Sequence, residues 1–377
     1  MPVTIAVPME SYANERRVAL IPDVAKKFAG LGARVLIQKG AGAAALIPDE
    51  QYQDVTLMDD AKAMLAEADV VLKVQPPTLD EIAAARKGAV FIGFMNAHAH
   101  AEEARALRDA GITSFGMELI PRITRAQSMD ALSSQAAVAG YKAALIGANA
   151  LGQFLPMLTT AAGTIRPAKT LVIGAGVAGL QAIATLRRLG AIVTGYDVRP
   201  ETREQVESLG ARFLDLGVEA VGEGGYAREL TEEEKAQQQA NLAEHLTGMD
   251  LLITTAAIPG RQAPRIITGS MVEGMKAGAV IVDMAAESGG NVEFSKAGET
   301  VNHQGVTLVG PENLPSQMPI HASEMYARNL YNFLSPWIKD GELAFDFEDE
   351  IVAGSLMTRD GEVVHPRVKP LIEGDAS

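Results

Sequence analysis

The segment KTLVIGAGVAGLQAIATLRRLGA, residues 169–191, admits few folds. A short β-branched run leads into G-x-G-x-x-G at Gly174, Gly176 and Gly179, and an apolar helical period opens from Val177. A strand that enters a glycine turn and leaves as a helix is half of a βαβ unit, whose strands lie parallel in a sheet covered on both faces. The turn has a chemistry of its own. Gly174 permits the tight bend, Gly176 lets the backbone approach a pyrophosphate, and Gly179 lets the helix close on the strand. The helix N-terminus then directs N–H groups and a positive dipole end at the phosphates. Asp197 ends the next strand, AIVTGYD, where a carboxylate accepts the hydroxyls of an adenosine ribose. Its charge repels a 2′-phosphate and favours NAD(H); Arg199, two residues on, is a cation able to hold one.

The same alternation runs through the rest of the chain. Strands at 4–9, 33–40, 69–75, 89–95 and 112–120 are separated by helical periods at 22–32, 59–67, 79–86 and 101–110. An alanine-rich helix over 131–150 leads to a second series, with strands at 169–174, 191–197, 249–256, 278–285 and 305–310. An apolar-periodic helix at 322–338 has the length of a connector that returns the chain to the first series. The pattern predicts an α/β protein of two doubly wound, Rossmann-like parallel-sheet domains with a cleft between them. The first domain is discontinuous, 1–130 plus 325–377, and the second, which carries the glycine turn, spans 131–324.

Composition narrows the function classes. With 47% hydrophobic residues the chain can bury two cores, and its net charge of −14 excludes a broad basic surface for nucleic acid or anionic lipid. The absence of cysteine excludes disulfides, thiolate metal sites and a cysteine nucleophile. The N-terminus lacks the basic-then-apolar pattern of a signal peptide. The most apolar long stretch, AVAGYKAALIGANALGQFLPML, carries Lys142 with several Gly and Asn residues, and suits a buried helix better than a membrane span. A soluble chain is expected, with no nucleic-acid partner, no direct membrane insertion and no metal.

Several polar segments remain. RITRAQSMDALSSQ, residues 122–135, places a hydrogen-bonding loop directly before the alanine-rich helix; capping by Ser128 or Asp130 would account for it. GVEAVGEGGYARELTE sets four glycines around one aromatic, Tyr226, as hinges and an anchor would be set in a lid over bound nucleotide. His98 and His100 alternate in NAHAHAEE but have no third ligand at suitable spacing, and are taken as a surface pair. Glu287 and Asn291 follow a strand at the end where an open α/β sheet receives ligands.

At PRITRAQSMDALSSQAAVAGY, TTAAGTIRPAKTLVIGAGVAGLQAIATLRRLGA and GGYARELTEEE the chain resembles the NAD(H)-binding component, domain I, of proton-translocating nicotinamide nucleotide transhydrogenases. The similarity runs over nearly the whole chain, and the first stretch is the most specific. It implies passage of hydride from NADH to NADP⁺ held on a separate NADP(H)-binding domain, coupled to proton translocation by a membrane domain. It also implies roles by position. Arg122, Gln127, Asp130 and Ser133 would line the nicotinamide site as catalytic and cofactor-binding residues. Gly174, Gly176, Val177 and Gly179 would carry the pyrophosphate, Asp197, Val198 and Arg199 the adenosine ribose, and Gly225 with Tyr226 the mobile loop. A homodimer is implied. The lack of hydrophobic spans suits the split arrangement, in which this component is a cytoplasmic subunit held peripherally at the inner membrane by its partners.

Hydride transfer between two cofactors needs no general acid or nucleophile, so the residues would position two nicotinamides and keep water out. Gln127 offers a donor and an acceptor, Ser133 a hydroxyl, and Arg122 and Asp130 are expected to brace one another. The chain also resembles alanine dehydrogenases, which share the RVALIP style and the architecture but not the RAQSMD loop. That resemblance implies substrate-holding roles for Arg17 and Lys73. It requires a histidine general acid/base after the fourth strand, where the register puts Phe94 and His98 lies four residues late.

Overall fold

The computed structural model describes residues 2–217, 228, 230–257 and 262–373. The chain divides into two compact units, Met1–Gln135 with Pro315–Ser377, and Ala136–Leu314. In the first, six parallel strands lie in the order Thr56–Met58, Arg34–Gln38, Thr4–Val7, Val70–Leu72, Val90–Gly93 and Thr113–Gly116. That is the order of a doubly wound sheet, which reverses direction between Thr4–Val7 and Val70–Leu72. Thr4–Val7, Val70–Leu72 and Val90–Gly93 are buried along their whole length, because helices cover both faces. Successive side chains therefore enter different cores. Ile5 packs with Phe28, Tyr326 and Phe333, and Ala6 with Leu36, Met64 and Phe91.

The sheet is not wholly parallel. Leu356–Arg359 runs antiparallel on the Thr113–Gly116 edge, and Glu362–Val363 runs antiparallel beyond it. The Ser114 and Thr358 hydroxyls meet at 2.6 Å across that seam. The connecting helix is Pro319–Leu334, and a short 3-10 turn, Ser335–Trp337, follows in place of the expected run to 338. Proline is at home in the first turn of a helix, but Pro336 near the other end has no N–H with which to continue one.

The second unit repeats the design. Its parallel strands lie in the order Arg212–Phe213, Ile192–Tyr196, Lys169–Ile173, Leu251–Thr254, Val280–Asp283 and Val306–Val309, and Thr300–His303 is antiparallel at the far edge. The order reverses between Lys169–Ile173 and Leu251–Thr254, so the carboxyl ends of those two strands frame the position where such sheets take ligands. A separate hairpin, Leu158–Thr160 with Gly163–Ile165, was not expected from the pattern. The long helix Ala131–Ala150 carries the chain out of the first unit and into the second. Among the described residues no helix is long and apolar enough to cross a membrane.

Candidate functional site

The strand Lys169–Ile173 runs into Gly174, whose φ of +92° is one that glycine adopts without strain. A side chain there would also strike Thr255 Oγ1 at 2.4 Å. Thr255 forms the floor of the turn, its hydroxyl 3.2 Å from the carbonyl oxygen of Ile173 and 3.0 Å from that of Gly174. Close approach dictates Gly179, where a Cβ would lie 1.7 Å from the Gly174 carbonyl oxygen. Gly176 faces open space apart from the Arg199 guanidinium, 4.0 Å from where its Cβ would be. The helix Val177–Arg188 starts there with no side-chain cap, and Val177 is exposed. Its first N–H groups are left for a ligand.

Asp197 is buried, and its carboxylate is fully engaged. Oδ2 accepts the Ala175 N–H at 2.7 Å and Arg199 Nη2 at 2.8 Å, while Oδ1 accepts Arg199 N–H and Nε, both at 2.9 Å. A carboxylate offers about four lone-pair positions, so a ribose diol gains acceptors here only as the Arg199 side chain leaves. Val198 is half-buried against the core. Asn291, fully buried, clamps the segment beside the turn: Oδ1 accepts the Ala256 N–H at 3.1 Å, and Nδ2 donates to the Ala256 carbonyl at 2.8 Å. Glu287 is exposed and accepts the Asn313 N–H at 3.0 Å.

In the first unit, Thr124–Met129 is a single 3-10 stretch and not an irregular loop. Asp130 follows it and caps the long helix, with Oδ1 accepting the Ser133 N–H at 2.8 Å and Oδ2 the Ser133 hydroxyl at 2.6 Å. Capping thus falls to Asp130 and not to Ser128. The expected brace is absent: Arg122 does not bond to Asp130, whose two oxygens face Ser133. Arg122 and Gln127 are exposed. The Gln127 amide makes no hydrogen bond among the described residues, so its donor and acceptor both face outward.

The two cations singled out for a substrate carboxylate are enclosed. Arg17 is 5% exposed; Glu15 accepts from its Nε at 2.8 Å and its Nη2 at 2.7 Å, and Gln135 Oε1 accepts from Nη1 at 2.9 Å. Lys73, 1% exposed, lies 2.8 Å from Glu81 and 3.5 Å from Glu10. Burial pushes the Glu10 carboxyl above the usual range against the pull of Lys73. For Lys73 burial works downward, but Glu10 and Glu81 together hold it above the ordinary lysine value. Phe94 is buried against Tyr326, ring centroids 5.2 Å apart. His98 is exposed, and His100 lies beside Tyr12 and Glu103.

The expected residues thus gather in two places. Gly174, Gly176, Val177, Gly179, Asp197, Val198 and Arg199 lie at the carboxyl end of the second sheet, and Arg122, Gln127, Asp130 and Ser133 lie at one turn of the first unit. Gly225 and Tyr226 fall outside the described residues. Among the described residues no group of three or more His, Asp or Glu side chains is arranged to hold a metal ion. The pattern missed Thr255 and Gly140. A Cβ on Gly140 would lie 2.0 Å from the carbonyl oxygen of Ala178, at the start of the glycine-turn helix. The available signal was a glycine closing a run of small residues, AAVAG, on an otherwise helical stretch.

Residues 6–139 match the family described as Alanine dehydrogenase/PNT, N-terminal domain, and residues 143–366 match its C-terminal domain. The chain is 47% identical over 375 residues to an NAD(P) transhydrogenase subunit alpha chain of Rhodospirillum rubrum, a match that covers 96% of this chain and 98% of that protein. A solved structure of transhydrogenase from Sinorhizobium meliloti superposes with a TM-score of 0.85 at 43% identity, covering 97% of this chain and 99% of that one. Alanine dehydrogenase of Bacillus subtilis is 31% identical over 329 residues, 84% of this chain and 80% of that protein. The chain belongs to the alanine dehydrogenase/PNT family and, within it, groups with the NAD(P) transhydrogenase alpha subunits.

Proposed function

We propose that the chain is the NAD(H)-binding component of a proton-translocating transhydrogenase. It passes hydride between NADH and NADP⁺ held on a partner domain, and membrane subunits couple the exchange to proton movement. The observation that carries this reading is the RAQSMD turn: it presents Gln127 outward, with the Asp130–Ser133 pair beside it, on a chain with a glycine turn open at Gly176. The dinucleotide fits the residues present. Gly174, Gly176 and Gly179 admit the pyrophosphate, the first N–H groups of the Val177 helix face it, and Asp197 receives the ribose as Arg199 swings aside. Val198 lies at the same edge, and Gly225 and Tyr226 are assigned to cover the nucleotide.

A nicotinamide cofactor held there supplies the hydride. Gln127 would hold the carboxamide of the bound nicotinamide, since its own amide offers a donor and an acceptor. The Ser133 hydroxyl donates its hydrogen bond to Asp130, which leaves the lone pairs of the serine oxygen as acceptors. Arg122 adds positive charge at the same turn. None of these residues moves a proton, and hydride transfer needs none to.

The enclosed state of Arg17 and Lys73 argues against an amino-acid dehydrogenase, since neither cation is presented to a small acid. The chain is further assigned to a homodimer at the cytoplasmic face of the membrane. Exposed Phe154, Met157 and Ile165 around the hairpin give the second unit an apolar surface for a second copy to cover. The test uses purified chain. It binds NADH, migrates as two copies by light scattering, and transfers hydride to an NADP⁺ analogue only after the NADP(H)-binding domain is added. Alanine-dependent reduction of NAD⁺ by the chain alone overturns the reading.

A further inference from the structure

The Ser128 carbonyl, between Gln127 and Asp130, receives two side-chain amides from the helix Pro319–Leu334: Asn329 Nδ2 at 2.9 Å and Asn332 Nδ2 at 3.0 Å. The two asparagines are three residues apart and so share one face of that helix. Ser128 is exposed. Water could serve its carbonyl, and ordering two amides costs side-chain entropy, so the arrangement adds little to stability. Its effect is on position. Two donors on one oxygen set the direction of that peptide as well as its distance from the helix.

Asn329 cannot choose its own orientation. Its Oδ1 accepts the Ser134 hydroxyl at 2.6 Å, which leaves only Nδ2 to face Ser128. Ser134 Oγ accepts Gln135 Nε2 at 3.2 Å, and Gln135 Oε1 accepts Arg17 Nη1 at 2.9 Å. A guanidinium can only donate and a carbonyl oxygen can only accept, so these two ends set the polarity of the links between them. Gln135 Nε2 also lies 3.1 Å from the Ala322 carbonyl oxygen, and Ser134 Oγ 3.1 Å from that of Ala131. Arg17, Gln135 and Asn329 are all buried, and Glu15 holds Arg17 on two nitrogens.

We propose that Arg17, Gln135, Ser134 and Asn329, joined by Asn332, form a positioning relay that sets the Gln127-bearing turn for hydride transfer, so that Arg17 serves the turn in place of a substrate carboxylate. The relay rests on the function proposed above. Its residues touch neither cofactor and act through the Ser128 peptide.

Asn329→Asp tests it, because the variant keeps the size and the Ser134 bond but turns a donor into a carboxylate facing the Ser128 carbonyl. In the nucleotide-free chain, amide exchange over residues 124–130 speeds up by about 10-fold or more while the strands keep their protection. With the NADP(H)-binding domain added, hydride transfer slows by about 10-fold or more, since misplacement by ~1 Å can cost ~100-fold. NADH affinity, read by fluorescence titration, stays within about 2-fold, as a loss confined to positioning requires. Gln135→Glu, which accepts from Arg17 but cannot donate to Ser134 or to the Ala322 carbonyl, gives the same split. Asn332→Ala removes one donor, slows transfer several-fold, and carries the test if Asn329→Asp does not fold. Unchanged transfer in these variants overturns the relay, whether or not exchange quickens, and so does an equal loss of transfer and NADH affinity. If the unaltered chain neither binds NADH nor transfers hydride, the functional reading fails instead; the exchange experiment then judges the relay alone, and unchanged exchange overturns it.

Discussion

Glu10 occupies a buried cage with Lys73, Glu81 and Glu15, its side chain 4% exposed and its oxygens on the Val74 and Gln75 N–H groups at 2.6 and 3.3 Å. Burial raises its pKa from the ordinary 4.5, and the charges of Glu15 and Glu81 act in the same direction while Lys73 and the Val74 N–H oppose. The folded chain therefore holds this proton more tightly than the unfolded chain does. Stability from this group is greatest below the ordinary glutamate value and is lost as pH rises through the folded value. Glu118 is shifted the same way, by burial. Glu10→Gln removes the titration but keeps a neutral acceptor, so the fall in urea midpoint as pH rises above the ordinary glutamate value becomes shallower. A profile as steep as the parent's would rule out Glu10 as its source.

Between elements, one contact is decisive for the glycine-turn helix. The long helix passes its start at Gly140, where a Cβ would lie 2.0 Å from the Ala178 carbonyl oxygen and 2.9 Å from the Ala178 Cα. Both are backbone atoms and cannot rotate away. Gly140→Ala must push the two helices apart, at a cost of about 1–3 kcal/mol, as in overpacked cores. It also displaces the N–H groups assigned to the pyrophosphate, so NADH affinity falls with stability. Urea unfolding and NADH titration check this together, and a variant unchanged in both would mean the helices have room to spare. The contact also shows where legibility in the sequence ended. Strands buried on both faces carry continuous apolar runs and could be read. Thr56–Met58, Leu158–Thr160 and Glu362–Val363 could not, being two or three residues long with exposed ends. Gly174, Gly176 and Gly179 answer constraints within a few residues of themselves. Thr255 braces the same turn from 81 residues away, and the Arg17–Gln135 and Ser134–Asn329 links span 118 and 195 residues. No local pattern records such pairings.

For the molecule as a whole, the two units differ in how the chain supplies them. The second is contiguous, Ala136–Leu314, while the first is assembled from both sides of it. Ser114 meets Thr358 across 244 residues, and such distant pairings form late because loop closure must precede them. In refolding followed by pulsed hydrogen exchange, the strands Lys169–Ile173 and Leu251–Thr254 gain protection before Thr113–Gly116 does. Protection of all three in one step would refute that order. On a ribosome the interval becomes a matter of time. At about 5–20 residues per second, the strand that closes the first sheet emerges on the order of ten seconds or more after the edge it covers. During that wait the edge Thr113–Gly116 has no partner on its outer side, and an open strand edge pairs with whatever strand it meets. The antiparallel strand Leu356–Arg359 therefore limits how long each newly made chain is exposed to mispairing with its neighbours.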